Sequence, residues 1–111
     1  MDHGIPPRDL TATTMFVCKR RILRYAREHG SLPSSLNGLP LIEGHVNETA
    51  DAWGEPLQYK IQKGDIVLLR SFGSDKKLGG QGDAADMVGK FLAKNKDGLW
   101  SEELEPWTQD P

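Results

Sequence analysis

The chain has one cysteine, Cys18, and so no means of making an internal disulfide. Lying among Phe16, Val17 and Ile22, it reads as a small core residue. Its histidines, His3, His29 and His45, are scattered over a leader, a helix end and a loop, and their spacing fits no zinc pattern. No apolar run approaches the roughly 18 residues of a membrane span. The best is Ile66-Val67-Leu68-Leu69, a strand. Met1-Asp2-His3-Gly4 lacks the basic start and apolar stretch of a signal peptide. A net charge of -2 and a pI near 5.9 give no overall pull toward nucleic acid or an anionic membrane. No nucleophile motif surrounds Ser71, and Asp83 with Asp86 on a small open loop lacks the walls that tune acid-base chemistry. The chain reads as non-enzymatic.

What is present fits a single domain over residues 1–111. Charge is uneven along it: through Gly30 there are six basic and three acidic side chains, leaving eight and thirteen in the remainder. Pro6-Pro7 marks residues 1–8 as a flexible leader. A helix follows, capped by Asp9 or Thr11 and running to about His29, with Gly30 as its stop. Met15, Cys18, Ile22, Tyr25 and Ala26 recur at intervals of three and four and trace one apolar stripe. Lys19, Arg20, Arg21, Arg24 and Arg27 make a basic surface beside it, with Glu28 placed to pair with Arg24. No nucleic-acid motif accompanies that charge, and a solvated helix face or contact with an acidic neighbour explains it.

Leu32, Leu36 and Leu39 are expected to tuck onto the helix, with a single helical turn starting at Ser34 or Ser35, and residues 41–52 form an irregular connection. Trp53 is expected to anchor that connection where it meets the sheet. The period then changes. Leu57-Gln58-Tyr59-Lys60-Ile61 alternates as a strand, Gln62-Lys63-Gly64-Asp65 turns, Ile66 to Phe72 returns, and Met87 to Leu92 supplies a third strand. The fold class is therefore α+β, a long N-terminal helix packed on a small antiparallel sheet of about three strands. Residues 94–111 form a polar tail whose Trp100 and Trp107 are expected to fold back on the sheet.

The segment Ser71 to Met87, SFGSDKKLGGQGDAADM, holds Asp75, Asp83 and Asp86 in a loop too rich in glycine for regular structure. Carboxylates held that close repel one another unless they are solvated, paired with Lys or Arg, or bound to a hard cation. Calcium takes about six to eight oxygens from carboxylates, carbonyls and water. Glycine lets carbonyls turn inward through backbone conformations closed to other residues. The loop is thus a calcium-site candidate without EF-hand spacing, beside the simpler reading of a solvated acidic loop with Lys76 and Lys77 as counter-ions.

Four strings carry a resemblance. Tyr25-Ala26-Arg27-Glu28-His29-Gly30-Ser31-Leu32-Pro33-Ser34 resembles a helix exit of tyrosine, Asn-Gly, then an aromatic or Leu before Pro-Ser. Asp51-Ala52-Trp53-Gly54-Glu55-Pro56-Leu57-Gln58-Tyr59 is similar to Asp-Pro-Trp-Gly-Asn-Pro-Tyr-x-Tyr. Ser71-Phe72-Gly73-Ser74-Asp75 resembles Ser-Leu-Gly-Ala-Asp. Gly79-Gly80-Gln81-Gly82-Asp83-Ala84-Ala85-Asp86-Met87 resembles Gly-Gly-x-Gly…Ala-Asp-Ile. Their order and spacing resemble the soluble domain of the major pseudopilin of type II secretion systems, within the type IV pilin-like proteins. Lys76 where that family has glycine, and Ala52 where it has proline, are departures.

The resemblance implies a calcium ion in the last loop, bound by the side chains of Asp75, Asp83 and Asp86 and by the carbonyls of Phe72 and Lys77. It implies a pilin-like fold and a structural filament subunit that polymerises with itself. Its partners would be other pseudopilins and secretion-system proteins in protein transport, in the periplasm and tethered to the inner membrane by an N-terminal helix. The matching helix is entered midway here, after about Arg8. Either an apolar anchor was removed and Met1 is an artificial start, or a natural protein keeps the globular half alone. The second case suits an alternative: a stand-alone adaptor that recognises a protein partner through the basic helix face or the Trp-bearing tail.

Overall fold

A computed structural model describes residues 5–74, 80 and 86–108. One helix, α1 (Pro7–His29), packs on an antiparallel sheet of β1 (Gln58–Gln62), β2 (Ile66–Ser71) and β3 (Met87–Leu92), in spatial order β1-β2-β3. The fold is α+β.

The helix begins earlier than expected, at Pro7 and not at Asp9 or Thr11. Proline suits the first helical position, where its missing N–H would have had no partner and its fixed φ is already helical. Arg8, assigned to the leader from sequence, is therefore helical. Asp9 lies in the first turn, favourable to the helix dipole. Thr11 is fully buried inside the helix; its hydroxyl donates to the Pro7 carbonyl (2.8 Å) and accepts the Ala52 N–H (3.0 Å). At the far end Gly30 adopts φ +79° and its N–H donates to the Ala26 carbonyl, a left-handed stop that glycine adopts without strain. His29 stacks on Tyr25 with ring centroids 4.0 Å apart.

The buried arc of α1 is wider than the predicted stripe. Met15, Cys18, Ile22 and Ala26 are buried as expected, and Val17, Lys19, Arg21 and Leu23 are buried with them. The helix is covered on three sides. The sheet takes the stripe, residues 31–52 cover one flank, and the tail covers the other. On the first flank Arg21 donates to the carbonyls of Pro40 (2.8 Å) and Leu39 (3.1 Å), and the Cys18 thiol donates to the Glu48 carbonyl (3.2 Å). Burial pushes that thiol up to about 11, against the opposing pull of Arg21, so it stays protonated. Leu36 and Leu39 join the core and Leu32 packs against it. No helical turn forms at Ser34 or Ser35; the Ser35 hydroxyl accepts the Asn37 N–H and a turn follows through Gly38. Hydroxyl bonding to a nearby backbone N–H competes with helix in this way.

In the sheet Tyr59 pairs with Leu69 and Ile61 with Val67 across β1 and β2, while Val67 pairs with Phe91 and Ser71 with Met87 across β2 and β3. This face, with Val67, Leu69 and Phe91 almost fully buried, meets the helix. Phe72 lies just outside β2, which ends at Ser71. The β1–β2 turn runs through Gly64 and Asp65 at φ +83° and +61°.

Candidate functional site

The string Asp51 to Pro56 forms a turn built around a buried carboxylate. Asp51 Oδ1 accepts the N–H groups of Trp53 and Glu55, each at 3.0 Å, and the Asp51 carbonyl accepts the Gly54 N–H at 3.0 Å. Asp51 Oδ2 accepts the Ser71 hydroxyl at 2.7 Å, and the Ser71 oxygen in turn accepts the Gly73 N–H at 3.2 Å. Asp51 is 6 % and Ser71 1 % exposed, so these bonds are formed out of water, where each counts for more. Trp53, expected to be the anchor, is only half-buried. The fixing is done by the aspartate two residues before it, because a carboxylate at a turn can satisfy backbone donors that an indole cannot.

The result is a spatial junction of strings that are far apart in sequence. Tyr59, at the end of the second string, donates its hydroxyl to the Pro33 carbonyl of the first at 2.7 Å. Burial, reinforced by Tyr25, pushes the Tyr59 phenol up to about 12, keeping it a donor. Asp51 of the second string holds Ser71 of the third, and Ser71 pairs with Met87, which ends the fourth.

That junction is the stem of the acidic loop. Phe72 follows β2 and Asp86 precedes β3, so each stands one residue beyond the Ser71–Met87 pair, on facing strands. Both are half-buried. Gly73 at φ +79° and Gly80 at φ +104° adopt the left-handed backbone that glycine permits. Asp75, Lys77 and Asp83 lie outside the described residues. Among the described residues no three His, Cys, Asp or Glu side chains come together as a metal group. The oxygens at the two stems, a carbonyl from Phe72 and a carboxylate from Asp86, are hard donors of the kind calcium takes.

A second assembly was not read from the sequence. The tail returns along α1 and places Glu103 against the basic helix surface. Its carboxylate accepts two bonds from Arg24, both at 2.9 Å, with Arg20 at 3.3 Å and Arg27 at 3.4 Å. Glu28, expected to pair with Arg24, forms no salt bridge with it among the described residues; the bidentate geometry goes to Glu103. Burial pushes the Glu103 carboxyl up, but the Arg24 hydrogen bond and the charges of Arg24 and Arg20 outweigh it and hold the group below the ordinary glutamate range. Lys19 is fully buried, donates to the carbonyls of Glu103 (2.9 Å) and Glu105, and faces the rings of Phe16 and Trp107 at 5.0 and 5.6 Å. The Trp107 ring lies against Gly89 and meets Phe91 edge-on, with ring centroids 6.0 Å apart.

No helix among the described residues is long and apolar enough to cross a membrane. Comparison of the chain with family models, with curated proteins and with solved structures gives no match.

Proposed function

We infer that this chain is a pseudopilin-like domain, a non-enzymatic structural subunit of a type II secretion pseudopilus or related filament. In this reading it works on the periplasmic side of the inner membrane, with neighbouring pseudopilins and secretion-system proteins as partners. The observation that supports the reading is the junction: the four strings carrying the resemblance converge through the Tyr59–Pro33 bond, the Asp51–Ser71 bond and the Ser71–Met87 pair. A long helix on a three-stranded antiparallel sheet accords with it. Less favours the alternative adaptor, because Glu103 engages the basic helix face and Trp107 is packed against β3.

The calcium ion belongs to this proposal. Asp75, Asp83 and Asp86 would hold it with the carbonyls of Phe72 and Lys77, and its charge would cancel their repulsion. Asp51 would hold the β2 stem in place whether or not the ion is bound. The ion would then fix the loop between β2 and β3 and present one stable surface to neighbouring subunits. Calorimetric calcium titration of chelator-stripped protein, with thermal melts alongside, tests this. Saturable binding is expected, with a melting rise of roughly 10 °C at a hundredfold excess over Kd. Asp75→Ala and Asp86→Ala should abolish both. Melting that is the same with calcium and with chelator, in the parent and in both variants, would remove the metal.

A further inference from the structure

The sheet has two edges, and the chain treats them differently. Along β3 the tail supplies partners: the Thr108 N–H donates to the Lys90 carbonyl (2.7 Å) and the Ser101 hydroxyl to the Leu92 carbonyl (2.6 Å). Along β1 the cover stops short. The Leu57 N–H donates to the Thr49 carbonyl (2.9 Å) and Ala50 bridges to Pro56, but the covering segment turns away at Glu48, toward Cys18. From Gln58 to Gln62 no backbone partner lies on the outer side of β1 among the described residues. Such an edge is a template for another strand.

The two faces beside that edge differ in chemistry. On the helix side Ile61 stands in register with the fully buried Val67, yet is 51 % exposed, with no strand among the described residues continuing the sheet beyond it. Farther along the same side a cleft of about 250 Å³ opens between Leu36, Asn37, Thr49, Leu57 and Tyr59. On the opposite face the register lines up Lys60, Leu68 and Lys90, with Arg70 in the next row between Gln58 and Val88. No carboxylate stands at the strand positions of that face.

We propose that β1 is a docking edge for an extended segment of a partner protein that alternates apolar and acidic residues. Added as a fourth strand, the segment would make main-chain hydrogen bonds along Gln58–Gln62. Its apolar side chains, two residues apart, would share one face of the sheet and pack on Ile61 and in the cleft. The acidic residue between them would face Lys60 on the cationic side. A second copy of this chain fits less well: in the antiparallel register that uses the whole of β1, Lys60 stands opposite Lys60, and like charges directly opposed are destabilising.

The proposal is independent of the filament reading and of the calcium loop, and its test reads different residues. A short capped peptide alternating valine and glutamate is titrated into the full chain while backbone hydrogen exchange is followed. Saturable binding that slows exchange at Gln58–Gln62 is the expected result. Lys60→Glu, an exposed position that leaves the fold intact, should weaken binding roughly tenfold, as should replacing glutamate by lysine in the peptide. No binding at millimolar peptide, or protection confined to other parts of the sheet, would overturn the proposal. So would protection of β1 that grows with protein concentration alone, which would assign the edge to a second copy.

Discussion

At the scale of single residues, Asp51 holds Trp53, Glu55 and Ser71 while almost fully buried, and it faces no basic side chain in those contacts. Removing it leaves two N–H groups and a hydroxyl without their acceptor. Asp51→Ala is therefore expected to cost about 3 kcal/mol in denaturant unfolding, near the top of the range for such losses. Asp51→Asn, which keeps an acceptor for the N–H groups, should cost clearly less. Gly89 offers a second measurement. A Cβ built there would lie 2.8 Å from the Trp107 ring, so Gly89→Ala should lift the indole and cost about 1–3 kcal/mol, with tryptophan fluorescence shifting red. Asp51 was legible as part of a string but not as its anchor. An indole is the larger burial, and nothing local in the sequence reveals that a carboxylate twenty residues from Ser71 is its acceptor.

Elements with strong local period were the legible ones. The helix followed from the spacing of Met15, Cys18, Ile22 and Ala26, and the strands from alternation and the Gly64-Asp65 turn. The tail was not, because its binding is written in pairs such as Arg24–Glu103, far apart in the chain and with no periodic signature. Lys19 and Arg21, read as part of a solvated face, are buried because covering segments lie on both flanks of α1. The tail makes a pH prediction. Glu103 is held below its ordinary range, so its stabilising contribution is complete above the ordinary glutamate pKa and is lost as pH falls through the lower folded value. Pepsin cleavage at the exposed Leu99 and Leu104 should accelerate on that acid limb, and trypsin should cut Glu103→Gln at Lys94 and Lys96 faster than the parent already at neutral pH. Of the proposed calcium ligands, Phe72 and Asp86 stand at facing stems, and Asp75, Lys77 and Asp83 lie outside the described residues.

Across the whole molecule, the excess of positive charge in the first thirty residues and of negative charge in the remainder is used internally, where Glu102 and Glu103 meet Arg20, Arg24 and Arg27. Part of this is half-exposed and open to screening. In about 1 M salt, where the Debye length is about 3 Å, the protease susceptibility of the tail should rise while core melting changes little. Tail and core changing in step would show that they form one cooperative unit.

The same contact fixes an order of events in time. The β1–β2 hairpin closes over a few residues, whereas Arg20, Arg24 and Arg27 await a glutamate some eighty positions away. Loop-closure entropy places such a contact late on the folding path. Interactions made after the transition state govern how fast a protein comes apart and hardly affect how fast it assembles. Glu103, docked from the tail onto α1, is thus a brake on unfolding, and the lifetime of the native state rests on the segment that reaches the helix last.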